Sequence, residues 1–237
     1  MEKRNMLSRR EALRIAGSIA MALPVMGLFG CAGTSRSGDA DAPSAGTESS
    51  VADTAPSDQT ASATSGSDGK ALVAFLSRAG ENYDVGTVEV GNTEVIAQMI
   101  AEKTGADLFK IETAEPYPAA YDEMLDIAKD EQSSNARPEL AALPANLDEY
   151  GTIFLGYPIW WGDMPMALYS FLEQVDLSGK TIVPFNTHAG SGQASTVSTI
   201  ERLARGATVR DGIAIAGTTA QNSRSEAARQ IDAWLAR

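Results

Sequence analysis

Residues 152–162 read TIFLGYPIWWG, and this stretch decides the fold class. Its first six residues form a short, nearly continuous apolar run, which is typical of a strand covered on both faces of a parallel sheet. Pro158 and Gly162 follow the run and favour a loop, and the two tryptophans lie between them. The stretch therefore predicts a buried strand that is followed by an aromatic loop.

Similar apolar runs predict four further strands, at residues 71–77, 107–112, 181–185 and 212–216. Segments with helical periodicity lie between and after the strands, at residues 93–103, 121–131, 165–175, 196–205 and 223–236. Strands that alternate with helices form βαβ units. The sequence therefore predicts an α/β fold, a doubly wound five-stranded parallel sheet with strand order 2-1-3-4-5 and helices on both faces.

The first 30 residues have the layout of an export signal. Five basic residues within residues 1–14 precede an apolar run at residues 15–29 that is too short to span a bilayer comfortably. Residues 8–13 read SRREAL, which resembles a twin-arginine export motif, and residues 28–31 read LFGC, which resembles a bacterial lipobox. The resemblance implies cleavage before Cys31 and lipidation of its thiol.

The alternative interpretation of the N terminus is an uncleaved anchor with an incidental cysteine. Both interpretations predict that the rest of the chain is exported. With lipidation, the protein would be anchored to the outer face of the bacterial cytoplasmic membrane through Cys31, on the cell surface or the periplasmic side.

Residues 31–70 form a separate low-complexity segment. After Cys31 it consists almost entirely of Ala, Ser, Thr, Gly and Asp, and Val51 is its one large aliphatic residue. Such a composition cannot bury enough apolar surface to fold, so we predict a disordered linker that tethers the domain. All tyrosines and tryptophans follow this segment, which places one folded domain at residues 71–237.

Charge and cysteine content exclude several functional classes. The formal net charge of −12 leaves no basic surface of the kind that nucleic-acid-binding proteins use, so nucleic acid is not expected as a partner. The single cysteine is far in sequence from the single histidine, His188, so neither a metal site nor a Cys/His nucleophile is expected. Redox chemistry would therefore require a bound cofactor.

Three loops are expected to meet at one edge of the predicted sheet. In an open parallel sheet, ligands bind at the carboxyl ends of the strands, near the point where the strand order reverses. The loops after the first, third and fourth strands are neighbours there. Their candidate site residues are Ser77, Arg78, Ala79, Gly91, Asn92, Thr93, Pro158, Ile159, Trp160, Trp161, Gly162, Thr187, His188, Ala189, Gly190, Ser191 and Gly192.

The first loop suits a phosphate group. Gly91, Asn92 and Thr93 open a predicted helix, where backbone N–H groups, a hydroxyl and the positive end of the helix dipole favour an anion, and Ser77 adds a second hydroxyl. Helix capping without any ligand is the alternative.

The other two loops suit a flat ring. Trp160 or Trp161 can stack on a planar aromatic ligand, whereas core packing is the alternative for one of them. The glycines at 190 and 192 let the backbone approach such a ring, or they simply form a flexible turn. His188 can donate a proton near a redox ring, although a loop histidine is more often only hydrogen-bonded.

Together these motifs resemble the flavodoxin family, in particular a branch with Pro-Ile-Trp-Trp-Gly after the third strand and Thr-His-x-Gly-Ser-Gly after the fourth. Residues 104–109, 115–118, 177–181 and 184–185 match the same pattern. The resemblance implies a flavodoxin-like fold that binds FMN noncovalently and transfers electrons. It places the FMN phosphate at the first loop and the ring between Trp160 or Trp161 and residues 187–192.

One segment departs from the flavodoxin pattern. Residues 81–90 are inserted between the first strand and its helix and bring three carboxylates, Glu81, Asp84 and Glu89, while Ala79 stands where a hydroxyl residue is common. Carboxylates close to a phosphate repel it. We expect the insertion to fold over the flavin as a lid; the alternative is a reduced affinity for the phosphate.

Three functions are consistent with these residues. The first is a membrane-tethered, extracytoplasmic electron carrier that uses FMN and serves redox partner proteins, to which an acidic surface can steer it. The second is an enzyme, an FMN-dependent reductase of quinones or related small acceptors. The third is a binding module that has kept the fold and lost the cofactor.

Overall fold

A computed structural model describes residues 69–237 of the chain. The predicted export signal, the lipidation site Cys31 and the predicted linker up to residue 68 lie outside the described residues.

Eight strands occur in the described part of the chain, and six of them form one parallel sheet. The strands are β1 (Lys70–Phe75), β2 (Gly80–Asn82), β3 (Gly86–Val88), β4 (Asp107–Lys110), β5 (Tyr150–Pro158), β6 (Thr181–His188), β7 (Thr208–Val209) and β8 (Ile213–Ala216). The sheet has the order β4-β1-β5-β6, and both β7 and β8 pair with β6. The predicted α/β class and the order 2-1-3-4-5 are thus confirmed, with two short strands in the fifth position.

The helices lie on both faces of the sheet. They are α1 (Asn92–Thr104), α2 (Tyr121–Ser134), α3 (Met166–Gln174), α4 (Thr196–Leu203), α5 (Gly217–Asn222) and α6 (Arg224–Leu235), and a 3₁₀ helix spans Leu147–Glu149. The five predicted helices are confirmed, with ends that differ by up to three residues, while α5 was not predicted. None of the helices within residues 69–237 has both the length and the hydrophobicity to cross a bilayer.

Side chains alternate along the strands between two cores. On one face, Val73, Phe154 and Phe185 pack with residues of α1, α5 and α6. On the other face, Leu72 and Leu155 pack with residues of α3 and α4. Because the sheet is covered on both sides, its strands carry apolar residues on both faces, which explains the nearly continuous apolar runs.

The fifth strand position is split because the segment between β7 and β8 does not pair with β6. Strand β7 pairs with Thr181 and Ile182, whereas β8 pairs with residues 185–188. Between the two strands, the side chain of Gln193 lies against Gly212, where a Cβ atom would collide with it. The predicted strand at 212–216 therefore begins only at Ile213.

Three residues that were predicted to lie in loops belong to strands. Pro158 is the last residue of β5, and Thr187 and His188 end β6. The reason is that strand pairing continues this far: Pro158 pairs with Thr187, and β8 pairs with β6 as far as His188. Strand β1, in contrast, ends at Phe75, so Ser77 lies two residues beyond its end.

The insertion forms a β-hairpin. Strands β2 and β3 pair from Gly80 with Val88 to Asn82 with Gly86. Residues 83–85 make the turn, in which Asp84 adopts a left-handed backbone conformation with φ of 62°. The hairpin is separate from the central sheet.

Candidate functional site

A crevice of about 520 Å³ opens beyond the carboxyl ends of β5, β6 and β8. Nine of the predicted site residues line it: Asn92, Pro158, Ile159, Trp160, Trp161, Thr187, His188, Ala189 and Gly190. Nine residues outside the list of candidate site residues also line it, three of them from the expected lid: Asn82, Tyr83, Asp84, Tyr121, Met124, Leu125, Ala216, Gly217 and Thr218. The structure therefore brings the start of α1 and the loops after β5 and β6 to one place, as the strand order requires.

The other predicted residues do not line this crevice. They are Ser77, Arg78, Ala79, Gly91, Thr93, Gly162, Ser191 and Gly192, and the first three line a different cavity beside β4. Two of the hydroxyls in this set already have protein partners. The Ser77 hydroxyl accepts a hydrogen bond from the Glu94 N–H at 3.0 Å, and the buried Thr93 hydroxyl lies 2.8 Å from that of Thr187. These contacts fix the start of α1 against β1 and β6.

Gly91 sits in a tight position directly before α1. A Cβ atom at this residue would collide with the Ser77 hydroxyl and with the carbonyl group of Arg78. Only glycine allows this close approach of the two backbone segments. Gly91 therefore sets how α1 begins, and with it the position of Asn92 at the crevice.

Asn92 presents the amino end of α1 to the crevice. The first N–H groups of a helix lack acceptors within the helix, and the helix dipole adds positive potential there. The Asn92 Oδ1 atom accepts a hydrogen bond from Gln221 Nε2 at 3.0 Å, which orients the side chain. Gln221 also donates to the Val90 carbonyl at 2.8 Å, so α5 braces this end of the site.

The guanidinium of Arg78 bonds to backbone carbonyl groups of the protein and does not face the crevice. Its buried guanidinium donates hydrogen bonds to the carbonyl oxygens of Pro118 at 2.9 Å, Ala119 at 2.8 Å and Glu81. Burial lowers the pKa of this guanidinium, against the opposing influence of Tyr121 and Glu81. The side chain thereby ties the start of the hairpin to residues 118–119.

Two further contacts hold the base of the hairpin. The Glu81 N–H donates to the Ala119 carbonyl at 2.8 Å, and the Glu81 carboxylate accepts a hydrogen bond from the Tyr121 N–H at 3.2 Å, at the start of α2. Gly80 lies so close to Ala119 that a Cβ would not fit. The expected lid is thus a hairpin with an anchored base, and its residues 82–84 line the crevice.

The three carboxylates of the inserted segment differ in their contacts and in whether they line the crevice. Glu81 is engaged at the start of α2, Asp84 lines the crevice, and exposed Glu89 does not line it. One carboxylate rather than three therefore faces the crevice.

The two tryptophans differ in environment. Trp160 is partly buried, packs against the core and meets the ring of Tyr117 edge to face, with ring centroids 4.9 Å apart. Trp161 is 49% exposed and its indole N–H donates to the Leu125 carbonyl of α2 at 3.0 Å. Lys129 Nζ lies 5.0 Å from the centroid of the Trp161 ring.

The backbone of Trp161 is in the left-handed region, with φ of 51°, which is rare for a bulky residue. Paired hydrogen bonds between Trp160 and Asp163, at 2.8 and 3.0 Å, enforce this turn, and Gly162 supplies a second positive φ. A sparsely populated conformation that the surrounding structure enforces is characteristic of ligand-binding sites.

His188 is partly buried at the end of β6. Its Nδ1 atom accepts a hydrogen bond from the Gly190 N–H at 3.0 Å, which leaves the Nε2 atom to carry the proton. Burial lowers the pKa of the imidazole, so His188 is neutral at pH 7. It can therefore donate one hydrogen bond in the crevice without adding charge.

The crevice has little charge. None of the described residues that line it is Lys or Arg, and Asp84 is its one carboxylate. Within residues 69–237, no group of three or more His, Cys, Asp or Glu side chains is arranged to hold a metal ion. An anionic ligand group would depend here on neutral N–H and O–H donors and on the dipole of α1.

Sequence reasoning missed two parts of the wall, the first turns of α2 and the β8–α5 junction at residues 216–218, whereas it expected the inserted segment at the flavin as a lid without naming its residues as ligands. The end of β2 and its turn carry the sequence Asn82-Tyr83-Asp84, whose Asn and Asp favour turns, and Gly217-Thr218 follows a strand at the same edge of the sheet. Both of these sequence patterns could have predicted wall residues. The α2 contribution depends on tertiary packing and has no comparable signal.

The chain was compared with known families and structures. Residues 70–231 match a family model described as Flavodoxin. None of the curated proteins with which the chain was compared matches it significantly.

Three crystal structures illustrate the structural similarity. A presumed flavoprotein from Bacteroides eggerthii is 26% identical, with 71% of this chain and 97% of that chain covered and a TM-score of 0.57. A presumed flavoprotein from Bacteroides uniformis is 28% identical, with coverages of 69% and 98% and a TM-score of 0.56. A flavoprotein from Lactobacillus acidophilus, crystallised in complex with FMN, is 24% identical, with coverages of 64% and 95% and a TM-score of 0.51, and shows the fold alone.

Proposed function

Because this chain belongs to the flavodoxin family, we propose that its described domain binds FMN noncovalently in the crevice and serves as an electron carrier. One observation carries the proposal: a single crevice combines two indole rings with the amino end of α1. Indoles suit a flat heteroaromatic ring, and a helix amino end suits a phosphate.

The residues present fit FMN. Gly91 lets the backbone before α1 pack closely against Ser77 and Arg78, which positions the amino end of α1, where a phosphate is favoured. Asn92, Thr218 and Asn82 offer neutral amide and hydroxyl donors among the residues that line the crevice. Trp160 and Trp161 offer ring surface, and residues 187–190 offer backbone groups for the polar edge of the flavin.

FMN, when bound, supplies reversible one- and two-electron transfer, which the protein side chains alone cannot supply. The residues of this chain position the group and control its surroundings. Trp160 closes the crevice on the core side, and the neutral His188 holds its proton on Nε2. Asp84 adds negative potential, which disfavours the accumulation of further negative charge in the site.

We also propose that the protein works outside the cytoplasm, tethered to the membrane through lipidated Cys31. The SRREAL and LFGC sequences support export and lipidation, and the low-complexity linker supports a flexible tether of about 35 Å. The net charge of −12 supports redox partner proteins with basic docking surfaces.

The visible absorption spectrum tests the cofactor proposal. The chain from residue 31, with Cys31→Ser to prevent lipidation, is supplied with FMN and desalted. A retained two-band flavin spectrum supports the proposal, and a colourless protein overturns it. Rapid steady turnover of NAD(P)H with a quinone by the isolated protein would instead favour the reductase.

Cell fractionation tests the location. The full chain should sediment with membranes after export, and Cys31→Ser should release the exported protein into the soluble fraction. Replacement of Arg9 and Arg10 by Lys should retain the chain in the cytoplasm. A membrane fraction that Cys31→Ser leaves unchanged would contradict lipid anchoring.

A further inference from the structure

The hairpin turn carries an exposed aromatic residue at the crevice. Tyr83 is the first residue of the turn between β2 and β3, and the residue is 58% exposed. Its ring lies near that of Tyr121, with centroids 6.1 Å apart and planes inclined by 31°. Both rings line the crevice together with Trp160 and Trp161.

The position of Tyr83 is fixed by the anchored base of the hairpin. Arg78 and Glu81 bond this base to residues 118–121, and Glu81 is only two residues before the turn. The side chain of Asn82 donates to the Gly80 carbonyl at 3.0 Å and stiffens the connection. The backbone that carries Tyr83 is therefore held beside the crevice, while Tyr83 itself remains exposed.

The other aromatic residues of the crevice are already engaged. Trp160 packs into the core, Tyr121 is partly buried at the start of α2, and residues 189–192 include no aromatic residue. Tyr83 and Trp161 therefore carry the exposed aromatic surface of the crevice. Exposed ring surface that is held rigidly beside a cavity favours a flat ligand that covers it.

We propose that Tyr83 is a ring-binding residue, which covers the flavin ring system from the side of the hairpin. This inference rests on the proposed function, because it assigns a contact to the same cofactor. On this proposal, the function of the inserted hairpin is to supply an aromatic contact that the glycine-rich loop after β6 does not supply.

Titration of the apoprotein with FMN and with riboflavin tests the assignment. Loss of one stacking contact predicts that Tyr83→Ala raises the Kd about tenfold, and by the same factor for both ligands, because riboflavin has the ring without the phosphate. Tyr83→Phe and Tyr83→Trp keep a ring and should stay within about twofold of the wild type. Thr87→Ala, an exposed change in β3 away from the crevice, is the matched control.

The visible circular dichroism of the bound flavin gives a second readout. Tyr83→Ala should change its band intensities, because the environment of the ring changes, whereas Thr87→Ala should not. Should Tyr83→Ala fail to fold, Tyr83→Leu keeps the apolar bulk without the ring and should still raise the Kd for both ligands.

The outcomes separate this inference from the proposed function. A wild-type protein that binds neither ligand refutes FMN binding itself. A wild-type protein that binds FMN, with an unchanged Kd in Tyr83→Ala, overturns the role of Tyr83 alone. A loss confined to FMN would place Tyr83 at the phosphate and would also overturn ring binding.

Discussion

At the scale of single residues, the two neighbouring tryptophans have separable roles. Trp160 packs into the core, so Trp160→Ala should lower the free energy of unfolding by about 2–4 kcal/mol. Trp161 is half exposed, so Trp161→Ala should change stability by less than about 1 kcal/mol and should raise the Kd for FMN. Urea denaturation and FMN titration measure the two effects. Equal destabilisation by both variants would contradict this division.

His188 makes stability depend on pH in a predictable direction. Burial lowers its pKa in the folded state below 6.5, so between these two pKa values the unfolded state binds more protons. The free energy of unfolding should therefore decrease as the pH falls from about 6.5 toward the folded pKa. Because the chain has one histidine, His188→Gln should remove this part of the slope.

Urea denaturation of the wild type and of His188→Gln between pH 5 and 7.5 measures the difference. Carboxylates contribute equally to both proteins and cancel in the comparison. Parallel curves would show that His188 has the same proton affinity in the folded and unfolded states.

At the scale of elements, the hairpin depends on Arg78. Arg78→Met keeps most of the apolar stem and removes the hydrogen bonds to three carbonyl oxygens, which should cost about 1–3 kcal/mol. The Glu81 N–H, which bonds to Ala119, should then exchange with deuterium much faster. Hydrogen exchange of peptides that cover residues 79–90 measures this loss.

Arg229→Met is the control for Arg78→Met. Arg229 is exposed on α6 and pairs with Glu226 within the same helix, so its replacement should leave exchange in the hairpin unchanged. Unchanged exchange in Arg78→Met as well would mean that Gly80 and Glu81 suffice to anchor the hairpin.

The central strands were predictable because each carries an apolar run, which can be recognised without knowing which strands pair with it. Their ends were less predictable: β6 continues through Thr187 and His188 because β8 pairs with it there, and this pairing is a long-range contact. Strands β2 and β3 have three residues each, too few for a visible period. The position of the hairpin depends on Arg78, whose partners Pro118 and Ala119 are about 40 residues away in sequence.

The candidate site was predictable to the extent that the strand-end rule determines it. That rule brought Asn92, Trp160 and His188 to one crevice. It did not reveal that Ser77 and Thr93 are engaged within the protein, because a helix cap and a phosphate ligand have the same sequence pattern.

At the scale of the whole molecule, charge argues against a nicotinamide dinucleotide as the direct reductant. The chain has a net charge of −12, and once the FMN phosphate occupies the amino end of α1, no described lining residue of the crevice is a Lys or Arg that could hold the two or more phosphate charges of NAD(P)H. We expect NAD(P)H to leave the spectrum of the FMN-loaded protein unchanged under anaerobic conditions. Dithionite, a small reductant, is the positive control and should bleach the flavin bands. Bleaching by NAD(P)H would favour the reductase.

Cofactor binding must also raise the free energy of unfolding of the whole domain. A ligand that binds only the folded state adds about 2.7 kcal/mol at a concentration of 100 times its Kd, which corresponds to a rise in Tm of roughly 5–10 °C for a domain of this size. FMN should produce this shift in a calorimetric scan, and free adenosine monophosphate, which has a phosphate without the flavin ring, should not. Because the shift follows from mass action alone, it does not depend on which tryptophan stacks or on what the hairpin contributes. A Tm that saturating FMN does not move would therefore identify a domain that has kept the fold and lost the cofactor.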